Sequence, residues 1–160
     1  MRTIAFYHFQ TGGVLMKLET AQFGQIEIEE DHIYLFEQGI PGFEHATRFV
    51  FIDVEEHESF SYMQSVDDKN LSFIVVDPFE FYKSYEFNLP DLAVEQLQVY
   101  PSEQIKIRTI VTVREKLEHA TTNLVAPIVL NDSKRLGKQV ILTSTSYTTR
   151  HKLFEASNMK

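Results

Sequence analysis

The sequence predicts a mostly β protein, a single small antiparallel β-barrel-like domain with one short helix. Short apolar stretches, several of them alternating with polar residues, recur between residues 26 and 144, which is typical of closed antiparallel sheets. One segment, residues 90–98, has the apolar spacing of a helix instead. The 160 residues contain no linker-like tract, and a chain of this length buries about 68–70% of its unfolded surface. One domain is therefore expected.

The first half of the chain contains five predicted strands. Residues 26–29 alternate isoleucine with glutamate and lead through an Asp-His turn into residues 32–36, which predicts an antiparallel hairpin. Residues 49–54 are apolar on both faces, as in a strand that is covered on both sides. Residues 60–66 alternate again, and a polar Asp-Asp-Lys-Asn turn separates them from a buried strand at 71–76.

The second half adds further strands and the helix. Aromatic and polar residues alternate over 79–87, and residues 105–113 carry isoleucine, threonine and valine on one face with basic residues on the other. Between these segments, a proline and an aspartate at its start predict a helix over 90–98 that caps or plugs one end of the barrel. Residues 123–130 and 139–144 close the set of strands around a polar turn.

The two ends of the chain are set apart from this domain. Residues 1–15 show no clear period and end in Gly-Gly-Val-Leu directly before Met16, where alternation begins. A translated ribosome-binding site would yield such residues, so we expect 1–15 to be either a non-native extension or a mobile terminus. Met1 and Met16 both stay open as the physiological start. The domain is assigned to residues 16–155 and a tail to 156–160.

Composition excludes several classes of protein. The chain has no cysteine, which removes disulfides, Cys-ligated zinc, iron–sulfur clusters and thiol catalysis. No apolar run reaches the roughly 18 residues of a membrane span. The apolar stretch at the start is too short and too polar for a secretory signal. A cytoplasmic protein without membrane contact is expected.

The sequence indicates no catalytic residue, no cofactor and no metal site. Its six glycines form neither G-x-G-x-x-G nor a Walker pattern. Its six histidines never stand at H-x-H or H-x-x-x-H spacing, and no G-x-S-x-G elbow is present. An enzyme site assembled from distant residues and a barrel that carries a small molecule inside both stay open. Turnover or a bound cofactor would reveal the first, and an internal cavity the second.

The net charge of −8 is concentrated in one part of the chain. From Glu19 to Asp68, thirteen acids stand against one base, Arg48, which gives a net charge of −12. Such a surface repels phosphate backbones, so direct nucleic-acid binding is not expected. It suits a basic protein partner or simply keeps the protein in solution, and basic residues of the strand at 105–113 could neutralise part of it. The candidate contacts within it are Glu55, Glu56 and Glu58.

Three segments carry side chains that are unusual for loops. Residues 39–44 have glycines that permit positive φ and a proline that stiffens the turn, and their Ile40 and Phe43 are either structural plugs or exposed contacts. Further on, the Asp77 side chain can cap a turn. Near Pro127, a turn or bulge is forced within a strand.

These segments stand in one recognisable order. The chain reads Gly-Ile-Pro-Gly-Phe-Glu at 39–44, then Phe-x-Val-Val-Asp-Pro at 73–78, then Asn-Leu-x-Ala-Pro-Ile at 123–128, followed by Gly-Lys-Gln-Val-Ile-Leu at 137–142. Together they resemble the FliW family of bacterial flagellar assembly factors over residues 16–153. The positions that match the family motifs are Gly39, Pro41, Gly42, Asp77, Pro78, Asn123, Leu124, Ala126 and Pro127.

The resemblance implies a small β-barrel-like fold without enzymatic activity and with two protein partners. One is flagellin, which FliW holds in the cytoplasm. The other is CsrA, a small RNA-binding translational repressor of flagellin. Flagellin leaving through the export apparatus would free the FliW protein to sequester CsrA, so that flagellin synthesis resumes. We expect the protein to be a monomer rather than an oligomer.

Both partners agree with features of the residues themselves. A repressor that grips RNA should be basic, and the acidic segment complements it. Flagellin ends in amphipathic helical tails, so a chaperone for them should expose an apolar groove. Thirteen phenylalanines and seven tyrosines exceed what one small core normally places, although filling the barrel is the alternative role for them. The candidates to line the groove are Phe79, Phe81, Tyr82 and Tyr85.

Overall fold

The computed structural model describes residues 13–101 and 103–154. Eleven strands, one α-helix and three short 3-10 helices are assigned to these residues. The strands are β1 (Leu15–Thr20), β2 (Gly24–Glu29), β3 (Tyr34–Leu35), β4 (Arg48–Asp53), β5 (Phe60–Ser65), β6 (Ser72–Val76), β7 (Ile105–Thr112), β8 (Thr121–Thr122), β9 (Ile128–Asn131), β10 (Leu136–Gln139) and β11 (His151–Lys152). The α-helix, α1, is Asp91–Gln96, and the 3-10 helices are Glu30–His32, Pro78–Glu80 and Leu117–His119. The predicted extension, 1–15, and tail, 156–160, fall for the most part outside the described residues.

Seven of the strands close into a ring of backbone hydrogen bonds. The order around the ring is β3, β4, β5, β6, β7, β9 and β10, and β10 returns to β3. Neighbours in the ring are antiparallel, except β3 and β10, which run parallel where Leu35 meets Leu136. Strands β8 and β11 extend the sheet beyond β7, and β1 and β2 form a separate hairpin. The prediction of a mostly β fold with one α-helix is confirmed.

The main hydrophobic core lies inside this ring. Side chains from different ring strands meet there in one cluster, and several of them are fully buried. Phe36 packs edge-on against Phe49 with ring centroids 5.2 Å apart. The fully buried members of the cluster are Phe36, Ala46, Phe49, Met63, Val75 and Ile128. Because apolar side chains fill this part of the ring, its interior is a packed core.

The hairpin of β1 and β2 covers the outer face of β4. Leu18 and Ile26 pack against Val50 and Ile52 in a second cluster. On β4 these two residues alternate with Phe49, which points into the ring, so both faces of this strand are buried. This arrangement explains the run of apolar residues at 49–54 and confirms the prediction that the strand is covered on both sides.

The helix α1 lies on another part of the outer surface. Its Ala93, together with Leu97 just after it, packs against Val129 of β9 and Leu136 of β10. Val129 alternates along β9 with Ile128, which points into the core of the ring. The predicted helix is therefore present, but it covers the outside of β9 and β10 and does not plug an end. None of the helices in the described residues has the length and apolar character of a membrane span.

The predicted hairpin of residues 26–29 with 32–36 is wrong. Strand β2 pairs with β1 across the tight turn that ends at Gly24, whose φ of +69° suits glycine. Strand β3 pairs with β4 and β10 instead. Alternation alone placed the strands but not the partners, because the apolar face of β2 is completed by Leu18 from the preceding segment.

The predicted strand at 79–87 is also wrong. The chain turns into a 3-10 helix at Pro78, where Asp77 Oδ1 accepts a hydrogen bond from the Phe79 amide at 2.9 Å. This confirms the predicted capping role of Asp77. The amides of Phe81 and Tyr82 then donate to the Pro78 carbonyl. Because these amides are used locally, they do not form a strand ladder.

The last two predicted strands are shifted in the structure. The ladder between them covers Ile128–Asn131 and Leu136–Gln139, not 123–130 and 139–144. The segment before β9 forms a bulge, described below with the motif it contains. Beyond β10, the Val140 and Leu142 amides donate to carbonyls of that bulge, so these residues are held without regular strand pairing.

Gly137 of β10 is expected to tolerate no side chain. A Cβ atom built on it lies 2.4 Å from Cζ of Phe36, a ring that is fully buried and cannot move aside. We predict that Gly137→Ala lowers the free energy of unfolding by about 1–3 kcal/mol, the usual range for overpacking. Chemical denaturation would measure the loss, and an unchanged midpoint would contradict this expectation.

Candidate protein-binding surfaces

Residues 39–44 form a tight turn between β3 and β4. The Phe43 amide donates to the Ile40 carbonyl at 2.6 Å, with Pro41 and Gly42 at the two central positions. Gly42 has a φ of +91°, which is the positive angle that a type II turn requires after its proline. Ile40 is 2% exposed and belongs to the core cluster, whereas Phe43 is 38% exposed. Ile40 is therefore the plug of this turn, and Phe43 presents its ring at the surface.

Gly39 is expected to be the most constrained glycine of this turn. Its φ is +66°, and a Cβ atom would lie 2.6 Å from the Cα atom of Glu44. Gly24 has nearly the same φ, +69°, with no atom within 4 Å of the added carbon. Gly24→Ala should therefore lower the free energy of unfolding by about 1–2 kcal/mol, the cost of placing alanine in the left-handed region. Gly39→Ala should lower the free energy of unfolding by at least about 1 kcal/mol more than Gly24→Ala does, because its added methyl group also clashes with the backbone.

Thermal and chemical unfolding of these two variants side by side tests this difference. Equal losses in the two variants would mean that the turn can open to admit the methyl group. The Gly39 variant would then be a probe of partner binding and not of stability.

The four candidate aromatic residues after β6 lie in two groups. Phe79 is 41% exposed and its ring lies 5.8 Å from that of Tyr85. Phe81 instead packs against Phe60 and Phe154. Tyr82 donates its hydroxyl hydrogen bond to the Lys152 carbonyl. Phe81 and Tyr82 thus contact the last described segment of the chain, and Phe79 and Tyr85 form a separate pair.

Tyr85 is the buried member of this pair. It is 3% exposed, and its hydroxyl donates to the Leu124 carbonyl at 2.8 Å. Burial, with a smaller contribution from Tyr147, raises the pKa of the Tyr85 hydroxyl well above its usual range. The phenol is therefore a neutral hydrogen-bond donor that fixes the ring, and it is Phe79 that presents an exposed aromatic surface.

An apolar groove runs beside Phe79 with a cavity volume of about 390 Å³. Its walls come from the loop after β6 and from the starts of β7 and β9. The lining residues are Phe79, Tyr85, Glu86, Phe87, Leu89, Ile105, Ile107 and Val129. Phe79 and Ile105 are the exposed large hydrophobic residues among them. One acidic side chain at an otherwise apolar wall makes this groove a suitable surface for an amphipathic partner.

Most of these lining residues were not among the sequence candidates. Ile105 and Ile107 lie on one face of the start of β7, and their spacing of two residues was visible in the sequence. Leu89 and Phe87 lie in a segment without regular secondary structure. The sequence feature that could have indicated Ile105 is its position as the first residue of the predicted strand, because a side chain at the end of a strand is less covered than one in its middle.

The Asn-Leu-x-Ala-Pro motif is a bulge in the partner strand of β7. Between the Val111–Thr122 pair and the Arg108–Ile128 pair, β7 advances three residues while its partner advances six. Asn123 Oδ1 accepts hydrogen bonds from the amides of residues 125 and 126, both at 3.1 Å. This confirms the bulge expected near Pro127 and gives Asn123 a structural role.

The same bulge holds the neighbouring loops in place. Leu124 is fully buried; its amide donates to the Thr148 carbonyl and its own carbonyl accepts from Tyr85. The carbonyl of Ala126 accepts from the Gln139 side chain, and that of Pro127 from the Val140 amide. Because Tyr85 is bonded to this bulge, the motif positions the wall of the apolar groove.

The acidic segment is an exposed surface. Eleven of its thirteen carboxylate residues are exposed, including Glu55, Glu56 and Glu58 in the loop between β4 and β5. Arg48 pairs with Asp67 at 2.7 Å. Across the parts of the chain that the structure describes, no ion pair joins a carboxylate of that loop to a basic side chain. The segment therefore keeps most of its negative charge.

No ion pair in the described residues joins the basic residues of β7 to this segment. Lys106 pairs with Asp132 at 2.8 Å, outside the acidic segment. Arg108 donates from Nη1 to its neighbouring Ile107 carbonyl at 2.8 Å. The expectation that these side chains could quench the acids is thus not met by any ion pair in the described residues.

Comparison with known proteins agrees with this architecture. The sequence model of the family described as FliW protein matches residues 17–153. The flagellar assembly factor FliW of Geobacillus sp. (strain WCH70) is 45% identical over 139 residues, which cover 87% of this chain and 96% of that protein. The flagellar assembly factor FliW of Bacillus subtilis (strain 168) is 43% identical over 136 residues, 85% of this chain and 95% of that protein.

A solved structure gives the same result. The crystal structure of the flagellar assembly factor FliW matches with a TM-score of 0.81 and 44% sequence identity, covering 88% of this chain and 98% of that one. Identity at this level over nearly the whole of each relative, together with the shared fold, establishes common family membership. The chain therefore belongs to the FliW family of flagellar assembly factors.

Proposed function

We propose that the protein binds flagellin in the cytoplasm as a chaperone and, when free of flagellin, binds and antagonises the translational repressor CsrA. In this way flagellin synthesis is coupled to flagellin export. Family membership supports a role in flagellar assembly. The observation that carries the proposal is the apolar groove beside Phe79, because an assembly factor that holds an unpolymerised subunit needs a surface for its amphipathic helical tails.

The proposed flagellin contact is centred on Phe79. Its exposed ring stands on Tyr85, and Ile105 forms an exposed apolar edge of the same groove. An aromatic side chain that is half exposed before binding and covered afterwards is the kind of residue that dominates interface energies. Tyr85 acts by holding Phe79 in place, and Phe81 and Tyr82 act by fixing the loop to the last described segment.

The proposed CsrA contact is electrostatic. Glu55, Glu56 and Glu58 are exposed together in the β4–β5 loop and form no ion pair within the described residues. A repressor that binds RNA carries basic surface, and complementary potentials accelerate and orient its encounter with this loop. Direct binding of nucleic acid at the same surface is disfavoured by repulsion between carboxylates and phosphates.

The protein is proposed to act by binding alone, as a monomer of residues 16–155 without cofactor or catalysis. Size-exclusion chromatography with light scattering tests both proposed partners directly. Mixing the protein with monomeric flagellin, and separately with CsrA, should each give a complex that migrates ahead of its components. If neither mixture changes its elution, the proposed partners are wrong, although the family assignment stands.

A further inference from the structure

A second cavity, of about 250 Å³, opens from the inside of the strand ring. Its floor is formed by Tyr34, Phe51 and Leu130, which belong to or pack against the core cluster within the ring. The remaining lining residues are polar or charged: His32, Asp53, Ser61, Lys106, Arg108 and Arg135. The cavity is therefore the open mouth of the ring, with an apolar base and a polar rim.

The rim of this mouth carries three permanent cations in a protein of net charge −8. Asp53 is the carboxylate that lines the same cavity, and its Oδ1 accepts a hydrogen bond from Ser61 at 2.9 Å. His32 lies 2.9 Å from Glu29. A second carboxylate, Asp132, pairs with two of these cations beside the cavity, so three cations stand against two carboxylates.

Two of the cations already hold a carboxylate. Lys106 Nζ lies 2.8 Å from Asp132, and Arg135 Nη1 lies 3.8 Å from it. The Tyr34 hydroxyl donates a hydrogen bond to the same side chain. Partial burial raises the pKa of Asp132, but the bonds from Lys106 and Tyr34 outweigh it, and the net pKa is lowered. The rim can therefore stabilise an ionised oxyanion.

Arg108 is the cation without such a partner. Its Nη1 donates to the Ile107 carbonyl, and it forms no ion pair with any carboxylate in residues 13–101 and 103–154. A guanidinium has five N–H donors in a fork that fits carboxylate and phosphate oxygens. Arg108 is partly buried at the cavity wall, so donors not used by the backbone are available to a ligand there.

We propose that this mouth binds a small organic oxyanion, a carboxylate or phosphate group joined to a short apolar body. The oxyanion bonds to Arg108 beside Lys106 and Arg135. The apolar body rests on Phe51 and Leu130. A pocket with an apolar floor and a few convergent polar groups is the usual architecture of a small-molecule site. This site is separate from the groove lined by Phe79 and from the acidic loop, so it provides a third binding function.

Titration followed by ¹H–¹⁵N NMR tests the proposal with benzoate and phenyl phosphate as probes, sodium chloride holding the ionic strength constant. Either probe should shift amide signals of β4 and β7 saturably, and the probe that does so identifies the source as carboxylate or phosphate. Arg108→Gln should weaken binding about tenfold, the effect of one charge-assisted hydrogen bond. Arg114→Gln, an exposed arginine just past β7, is the matched control and should bind as the parent does.

A second variant should bind the probe more tightly than the parent, and damage to the fold could not explain such a gain. Asp132→Asn keeps an oxygen to accept from Tyr34 but releases Lys106 and Arg135, so it should tighten binding of the same probe. The spectrum of each variant also reports whether it is folded. Absence of saturable shifts with both probes, or equal affinities of the parent and a folded Arg108→Gln variant, would overturn the proposal.

Discussion

Replacing Phe79 by alanine is expected to weaken flagellin binding by about 1–4 kcal/mol, or roughly five-fold to several hundred-fold in Kd. The ring is 41% exposed and is held at the groove by its contact with Tyr85. Truncation removes the aromatic anchor while leaving Tyr85 bonded to Leu124. The fold should therefore persist. Isothermal titration of flagellin into each form of the protein measures the change.

Phe43→Ala is the matched control for this variant. Phe43 is 38% exposed and also has an edge-on aromatic neighbour, Phe73 at 5.4 Å, but it lies in the turn between β3 and β4 and does not line the groove. It should bind flagellin as the unmodified protein does. A loss in the Phe43 variant with none in the Phe79 variant would move the flagellin site to that turn.

Reversing Glu55, Glu56 and Glu58 to lysine together is expected to slow association with CsrA by about tenfold or more at low salt. The three side chains are exposed in one loop and form no ion pair within the described residues. Each reversal removes an attraction and adds a repulsion toward a basic partner. Screening reduces the range of this force to about 8 Å at physiological ionic strength. The difference between parent and variant should therefore shrink as salt is raised.

A second triple variant controls for net charge. Glu95, Glu115 and Glu118 are exposed and lie outside the acidic segment, so reversing them changes the total charge by the same amount. Stopped-flow measurement should give near-parental association with CsrA for this control, and flagellin affinity should change little in either triple variant. Equal slowing in both would show that overall charge, not this loop, steers the encounter. No slowing in either would leave the acids a role in solubility alone.

Local sequence patterns were sufficient to predict a strand that is apolar on both faces and a helix that begins with characteristic residues. Strand β4 was recognised because Phe49 and Val50, adjacent in sequence, are apolar on opposite faces. The helix α1 was recognised because Pro90 and Asp91 start it and Ala93 supplies its buried side. In both cases the apolar spacing reflects burial directly, so the sequence alone is sufficient.

Partner choice between strands was not accessible in the same way. Strand β3 is two residues long, and its parallel pairing with β10 depends on residues a hundred positions apart. The sequence at 79–87 alternates aromatic with polar residues, as a half-buried strand does. In the structure Tyr85 is indeed buried between two exposed neighbours, but the segment is not a strand. Its true form follows from the local Asp77 cap, which starts a 3-10 helix, and from the bond of Tyr85 to the Leu124 carbonyl, a tertiary contact that the sequence does not show.

The candidate surfaces were predicted to a similar extent. The acidic segment could be located from charge alone, and its exposure agrees with that interpretation. The sequence did not distinguish Phe79 from the other three candidate aromatics, because all four could equally fill the core; its exposure in the structure makes that distinction. The groove itself joins the loop after β6 to Ile105 and Val129, which the fold alone brings together.

We propose that flagellin binds the apolar groove and that CsrA binds the acidic β4–β5 loop. The most direct test is the salt dependence of both interactions, measured with the unmodified protein between about 50 mM and 500 mM sodium chloride. Flagellin affinity should stay nearly constant, because burial of apolar groove residues is not screened by salt. The CsrA association rate should fall steeply over the same range, because it depends on the exposed carboxylates. A steep fall for flagellin together with a flat response for CsrA would contradict the assignment of partners to surfaces.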